Sequence, residues 1–297
     1  CIDDPEVFKA LLGAVEDFGK EHGMEIIHGP WGFNDTDREG MLTYGFDRVA
    51  TYVTNYSYPY FCESMKELGF DDESKWLEKE FVIPDKPYER MLDVAKKVEE
   101  KIEVKDVALT MPLKDIVKQY GAKLFDTYNK AYAPLDGFVP VDELTEKNVL
   151  KTFATVLNKR YISILVDKND EVAAFGVVIP SLVKPLAKHR GKLFPTGFIG
   201  ILSSIKKPEA LEMALIGVRP EYKNTGINAV VIAHIMNHVI EDGIKRIESN
   251  PMLETNYSIQ QQWKFADCEV VKKRQTYQKP IGSLLEYSEN IEERKDA

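Results

Sequence analysis

Between Gly217 and Val231 the chain reads an apolar run ending in Val218, then Pro220-Glu221-Tyr222-Lys223-Asn224-Thr225-Gly226, then a long apolar stretch. A strand that turns through a glycine-containing loop into a helix makes a cradle for a phosphate. The first N–H groups of the helix have no carbonyl partner, they point at the turn, and the helix dipole favours an anion there. Gly226 would let the backbone approach such a ligand with no side chain in the way. An ordinary strand–helix turn has the same residues, so both readings stay open at this point. Other chemistry is poorly served. His234 and His238 stand four apart, the spacing of a metal pair, but residue 235 is Ile, not the Glu of the metalloprotease pattern. With Asn237 and Glu241 they form a polar stripe and read as solvated histidines, so no metal site is expected. The chain holds no Gly-x-Ser-x-Gly nucleophile elbow. Cys1, Cys62 and Cys268 are odd in number, far apart and without Cys-x-x-Cys, so neither a disulfide framework nor a zinc site is suggested and a reducing cytoplasm fits.

The elements that must carry the loop belong to a folded protein. The chain has 297 residues, of which 44% are apolar and 29% charged, enough for one large or two ordinary domains. A net charge of −9 argues against a nucleic-acid partner. No run of 18 apolar residues occurs, so no membrane span is expected. The chain opens at Cys1 and runs straight into a helix cap, Asp4-Pro5-Glu6.

Periodicity predicts a helix from there to Gly23, a strand over 24–28 and a loop Gly29-Pro30-Trp31-Gly32-Phe33-Asn34. A short helix over 37–44 and a strand over 48–56 follow. Tyr56, Tyr58, Tyr60 and Phe61 form an aromatic cluster, either core or a pocket wall. A helix over 60–68, a strand over 75–84 and a Lys/Glu-rich helix over 86–101 come next, with a domain junction near Val104. Beyond it the pattern predicts a strand at 107–109 and helices over 113–132 and 143–157. A hairpin of 161–166 and 172–179 follows, and the basic segment 184–192 is a loop, short helix or positive rim for an anion. Strand 210–218 feeds the opening loop. A mostly buried helix over 227–242, a strand over 244–249, a helix near 258–265 and two closing strands, 268–271 and 274–280, complete the reading. Residues 286–297 are a charged tail expected to fray.

Two stretches share one plan. Residues 4–34 and 226–256 each read helix, glycine, strand, then Pro and Asn in nearly the same register, which indicates an internal duplication. The first copy has no strand ahead of its helix, so the N-terminal half is expected to be incomplete, with something missing upstream.

The run Val218-x-Pro220-x-Tyr222-Lys223-x-x-Gly226-Ile227, after a strand and before a helix, resembles the acetyl-CoA-binding motif of the GNAT superfamily of N-acyltransferases. That resemblance covers about residues 107–281. The whole chain further resembles a bacterial family with two GNAT-like halves, of the YghO type. Gly29-Pro30, Asp37-x-x-Gly40-x-Leu42, Gly45-Phe46-Asp47, Tyr58-x-x-Phe61, Gly69-Phe70, Tyr128-Asn129-x-Ala131-Tyr132, Gly137-Phe138-x-Pro140 and Lys272-x-Arg274-x-x-Tyr277 carry it. The resemblance implies an α/β (α+β) fold, a GNAT-like mixed sheet flanked by helices. It implies an incomplete first half over 1–104, a second over 105–285 and the tail beyond. It also implies an acyl-CoA, acetyl-CoA by default, whose pyrophosphate lies on the loop Lys223, Asn224, Thr225, Gly226, Ile227 and Asn228. Pantetheine would pair with the strand backbone near Leu215, Gly217 and Val218, and Asn256 is a further cofactor candidate that reads more simply as the N-cap of the helix near 258–265.

The reaction so implied is attack of an unidentified amine on the thioester, helped by a base and an oxyanion donor. Glu212 and Glu254 are the candidate bases and Tyr257 the candidate acid for the departing thiolate. Lys223 stands where the motif usually has Gln or Arg, Asn228 where it has Gly or Ala, and Trp263 where the family often has a Tyr. The alternative is a GNAT-like binding module, for a small molecule or a protein, that has lost the chemistry.

Overall fold

The computed structural model describes residues 1–283 apart from Asp35, Asp136 and Phe265. The expected tail over 286–297 lies outside the described residues. Helix α1 (Pro5–Glu21) starts where Asp4 accepts the N–H groups of Glu6 and Val7, with Pro in the first turn. Strand β1 (Ile26–Gly29), β2 (Met41–Tyr44), helix α2 (Pro59–Glu67), β3 (Asp71–Val82) and α3 (Glu89–Lys101) follow. Then come β4 (Lys105–Asp106), α4 (Val107–Thr110), α5 (Leu113–Tyr132), α6 (Glu143–Phe153), β5 (Ile162–Val166) and β6 (Val172–Pro180). The chain continues through α7 (Val183–Lys188), α8 (Gly197–Lys206), β7 (Leu211–Val218) and α9 (Ile227–Glu241). It closes with β8 (Arg246–Glu248), β9 (Met252–Leu253), α10 (Tyr257–Gln262) and β10 (Cys268–Pro280).

All strands join one mixed sheet in the order β1-β10-β3-β8-β7-β6-β5-β4, with β2 also on β10 and β9 on β3. The pairings are antiparallel except β7 with β8, which run parallel. This is the mixed sheet flanked by helices that the motifs imply. The two copies of the duplicated plan, α1–β1 and α9–β8, each end their helix at a left-handed glycine, Gly23 and Gly243. Their closing strands interleave. β3, from the first copy's side of the chain, pairs with β8, while β10, from the second, pairs with β1.

Strand alternation sorts the two faces. Phe81, Leu211 and Ile247 meet α3 and α9 through Val98, Val230 and Val231 in one core. Ile164, Phe175, Ile179 and Ala214 meet α5 through Phe125 and Tyr128 in the other.

Four local expectations are corrected. Residues 41–44 are strand, not helix, because Gly40 at φ +70° turns the chain and β10 offers a ladder. Residues 48–56 form no strand. They lie as a loop pinned by a Thr51–Thr54 hydroxyl contact of 3.0 Å. Residues 107–109 are helical, because Asp106 accepts the Ala108 N–H and caps them. The two closing strands are one, β10, whose hairpin partner is replaced by β3 from far upstream. Helix α8 was not foreseen.

Candidate functional site

β7 and β8 pair only at Leu211↔Ile247 and Glu212↔Glu248. Beyond that point β7 keeps to β6. The chain after β8 turns at Asn250-Pro251 and, as β9, pairs with β3 through Trp76↔Leu253 and Leu77↔Met252. The parallel strands therefore part and leave a gap. At its root β7 carries one extra residue, Ala214, since Val177 faces Leu215 while Val178 faces Met213. Such a bulge takes a residue out of the ladder. The Ala214 carbonyl accepts the Asn250 side-chain N–H at 2.6 Å across the gap. Further along, the Tyr132 hydroxyl at the end of α5 donates to the Ile216 carbonyl at 3.0 Å.

The loop beyond β7 is held at its base. Arg219 is buried, and its guanidinium reaches Asp126 at 2.6 Å and Glu171 at 3.2 Å. The Tyr222 hydroxyl donates to Asp167 at 2.9 Å. Asn224 and Gly226 then take positive φ, 62° and 86°, which turns successive amides to one side as in an anion-binding nest. Lys223, Asn224 and Thr225 are exposed. Among the described residues nothing accepts the N–H of Gly226 or Asn228. Gly226 itself serves α3, because a Cβ there would lie 3.2 Å from Val98. Gly217 is required by Phe175, which a Cβ would meet at 2.6 Å. Asn228 donates through its side chain to Gln262 of α10 at 3.1 Å, so loop and α10 are bridged at the mouth of the gap.

Glu212 sits at the root of the gap and is 1% exposed. Its carboxylate accepts the Tyr52 N–H at 2.7 Å and the Ser181 hydroxyl at 2.6 Å. Burial raises its pKa, and these hydrogen bonds and the Lys272 charge oppose that only in part. The other two expected catalytic residues follow β9, one just after it and one at the start of α10. Glu254 is half-buried past β9, with its N–H on the Lys75 carbonyl. Tyr257 is 73% exposed. No hydrogen bond among the described residues links either to Glu212. Asn256 caps α10 by accepting the Ile259 N–H at 3.3 Å. Trp263 packs edge-on against Phe81 at 5.0 Å, with its buried indole N–H unpartnered.

A charged row that sequence reasoning missed continues from Glu212. Glu248 lies opposite it on β8, and Glu80 on β3 lies opposite Glu248. Lys272 and Glu78 face each other between β10 and β3 on that same face. Lys272 and Glu78 are fully buried, with Nζ 3.0 Å from Oε2, and the same ammonium contacts Glu248. Arg274 meets Glu78 through Nε at 2.5 Å. Its two terminal nitrogens are buried with no hydrogen-bond partner among the described residues. Burial raises the Glu248 pKa, Lys272 opposes it, and Glu78 and Glu212 reinforce it. The loop 45–57 covers the row: the Val49 carbonyl accepts from Lys272 at 3.2 Å, and Arg48 reaches Glu80 at 3.3 Å. Charges two apart, Glu78-x-Glu80 and Lys272-x-Arg274, were the available signal. Nothing local says that the two strands are neighbours.

His234 is not solvated as expected. Its ring bridges Asp106 at 2.8 Å and Glu99 at 2.9 Å. Burial lowers its pKa, but the two carboxylates outweigh this and the net shift is upward.

No family model matches the chain. It is 26% identical over 302 residues to protein YghO of Escherichia coli, covering 95% of this chain and 72% of that one. It is 22% identical over 274 residues to a bacterial ceramide synthase of Caulobacter vibrioides, covering 86% of this chain and 66% of that one. Among solved structures, a tandem GNAT protein from the clavulanic acid biosynthesis pathway aligns with TM-score 0.48 at 9% identity, over 92% of this chain and 70% of that one. A GCN5-related N-acetyltransferase from Anabaena variabilis aligns with TM-score 0.46 at 9% identity, over 92% and 50%.

Proposed function

We propose that this chain is an N-acyltransferase that moves an acyl group from an acyl-CoA, acetyl-CoA by default, to an amine, in a reducing compartment such as the cytoplasm. The observation that carries the reading is the parting of β7 and β8 beside an open helix N-terminus, with buried carboxylates at the root of the gap. The pyrophosphate would rest on the amides around Asn224–Asn228 and on Lys223, and pantetheine would follow β7 toward Ala214. The amine nitrogen attacks the thioester carbon, the carbonyl electrons move to oxygen, and their return expels the CoA thiolate. Backbone amides freed by the bulge at Ala214 would hold the oxyanion. Glu248 or Glu212, whose burial raises their proton affinity, would take the proton from nitrogen. The similarity to a protein called a ceramide synthase supports amide formation, since a ceramide is an N-acyl amine. An apolar crevice lined by Phe125, Leu150 and Phe153 runs between α5, α6 and the sheet to Leu215, which suits acyl chains longer than acetyl.

A second reading, a binding module without chemistry, is favoured by one observation. The indole of Trp263 occupies the core where an acid for the thiolate would be wanted. Calorimetric titration with acetyl-CoA and longer acyl-CoAs tests the first reading. Binding is expected, and Thr225→Glu on the exposed loop should weaken it about tenfold by charge repulsion. No binding of any acyl-CoA at about millimolar concentration would sink the reading.

A further inference from the structure

From Val183 to Pro208 the chain contains no Asp or Glu and carries Lys184, Lys188, Arg190, Lys192, Lys206 and Lys207, in a protein of net charge −9. All six cations are exposed. Amid them stand apolar side chains with no cover: Phe194 is 79% exposed, Ile199 56%, Leu202 53% and Leu193 48%. Phe198 joins them, its ring 5.9 Å from that of Phe194. Helix α8 has an inner face of its own, because Ile201 and Ile205 pack on the second core. The Ile205 carbonyl also accepts the Asn158 side chain at 3.0 Å. The outer residues are therefore left over after the helix has been anchored. A soluble surface seldom gathers several large apolar side chains in one patch. A patch of aromatic and aliphatic groups ringed by Lys and Arg matches a headgroup–acyl boundary, the rings entering the acyl edge and the cations meeting anionic headgroups.

We propose that α7, α8 and the turn between them dock this protein on an anionic lipid bilayer. The charge argument selects that occupant: Lys184 pairs with Glu209 at 2.5 Å, but the other five cations stand in a stretch without acids, which an apolar protein partner does not need and an anionic surface does. Docking is peripheral, since no helix is long and apolar enough to cross a membrane among the described residues. α7 begins just after Ser181, whose hydroxyl holds Glu212, so docking would bring the root of the gap close to the lipid.

Sedimentation with vesicles tests this without any acyl-CoA, so its outcome is separate from the fate of the acyltransferase reading. The protein should sediment with vesicles of phosphatidylcholine and phosphatidylglycerol and stay in solution with phosphatidylcholine alone. Phe194→Glu with Phe198→Glu should weaken binding at least about tenfold with the thermal melt preserved, because both rings lie outside the core. Lys188→Glu with Lys192→Glu should weaken it comparably, and added salt should do the same. Three results would overturn the proposal. One is a folded protein that ignores anionic vesicles at low salt. Another is binding that the Phe variant leaves unchanged. The third is a concentration-dependent dimer, abolished by Phe198→Glu, that accounts for the patch instead.

Discussion

The carboxylates at the root of the gap differ in the partners that hold them. Burial raises the proton affinity of both, but Glu212 spends both oxygens on Tyr52 and Ser181, whereas the Glu248 carboxylate meets Lys272 alone among the described residues. On the proposed reading Glu248→Gln should lower kcat about a hundredfold or more and leave acyl-CoA affinity within a few-fold. The base must be ionised to act, so the wild-type rate should rise with pH through the raised pKa of Glu248. That limb should vanish in the variant, and a pH–rate profile of both checks it. The pair Lys272–Glu78 is fully buried, and removing one partner strands the other's charge. Lys272→Met is expected to cost about 3–5 kcal/mol in chemical denaturation, with Glu78→Gln added to it recovering part. The place of Glu212 on the strand that feeds the loop was legible from the sequence. Glu248, Lys272 and Arg274 were not, because their meaning depends on β3 lying between β8 and β10.

At the scale of elements, the long periodic helices were read almost to the residue: α5 runs from Leu113 to Tyr132 and α9 from Ile227 to Glu241. Short segments were misread wherever a distant partner decided them. Met41–Tyr44 is a strand only because β10 passes beside it, and 48–56 is a loop because it lies across the charged row. His234 shows the same limit. Its helix face reads as polar, and only the packing of α3 and β4 against α9 turns it into a clamp between Glu99 and Asp106. Ser163 also donates to Asp106, at 2.6 Å, and His238 and Glu241 lie one turn on. The His234 pKa is raised on folding, so its contribution is full below its unfolded value and fades as pH climbs through the folded one. His234→Phe should therefore cost about 1.5–3 kcal/mol near pH 6, the worth of a hydrogen bond to a charged group, and clearly less near pH 9. Urea denaturation at the two pH values measures the difference, and equal losses at both would refute the clamp.

Across the whole molecule the mixed sheet flanked by helices was legible, while the interleaving of strands was not. The duplicated plan places like elements in like order, yet β3 and β10 each pair with a strand of the other copy. Residues 1–104 expressed alone should accordingly lack native far-UV and near-UV circular dichroism. Mixed with residues 105–297, they should recover it, since each piece holds a strand that the other's sheet requires. The same exchange sets a timetable for synthesis. β1, begun at Ile26, finds its one sheet partner among the described residues at Tyr277–Pro280, and β3 waits for β8, β9 and β10. On a ribosome adding about 5–20 residues per second, Trp76 and Phe81 would stand without a sheet around them for on the order of ten seconds. The nascent first half is thus a client for whatever shields apolar strands in the cell. The sheet closes only after nearly all of its sequence has left the exit tunnel.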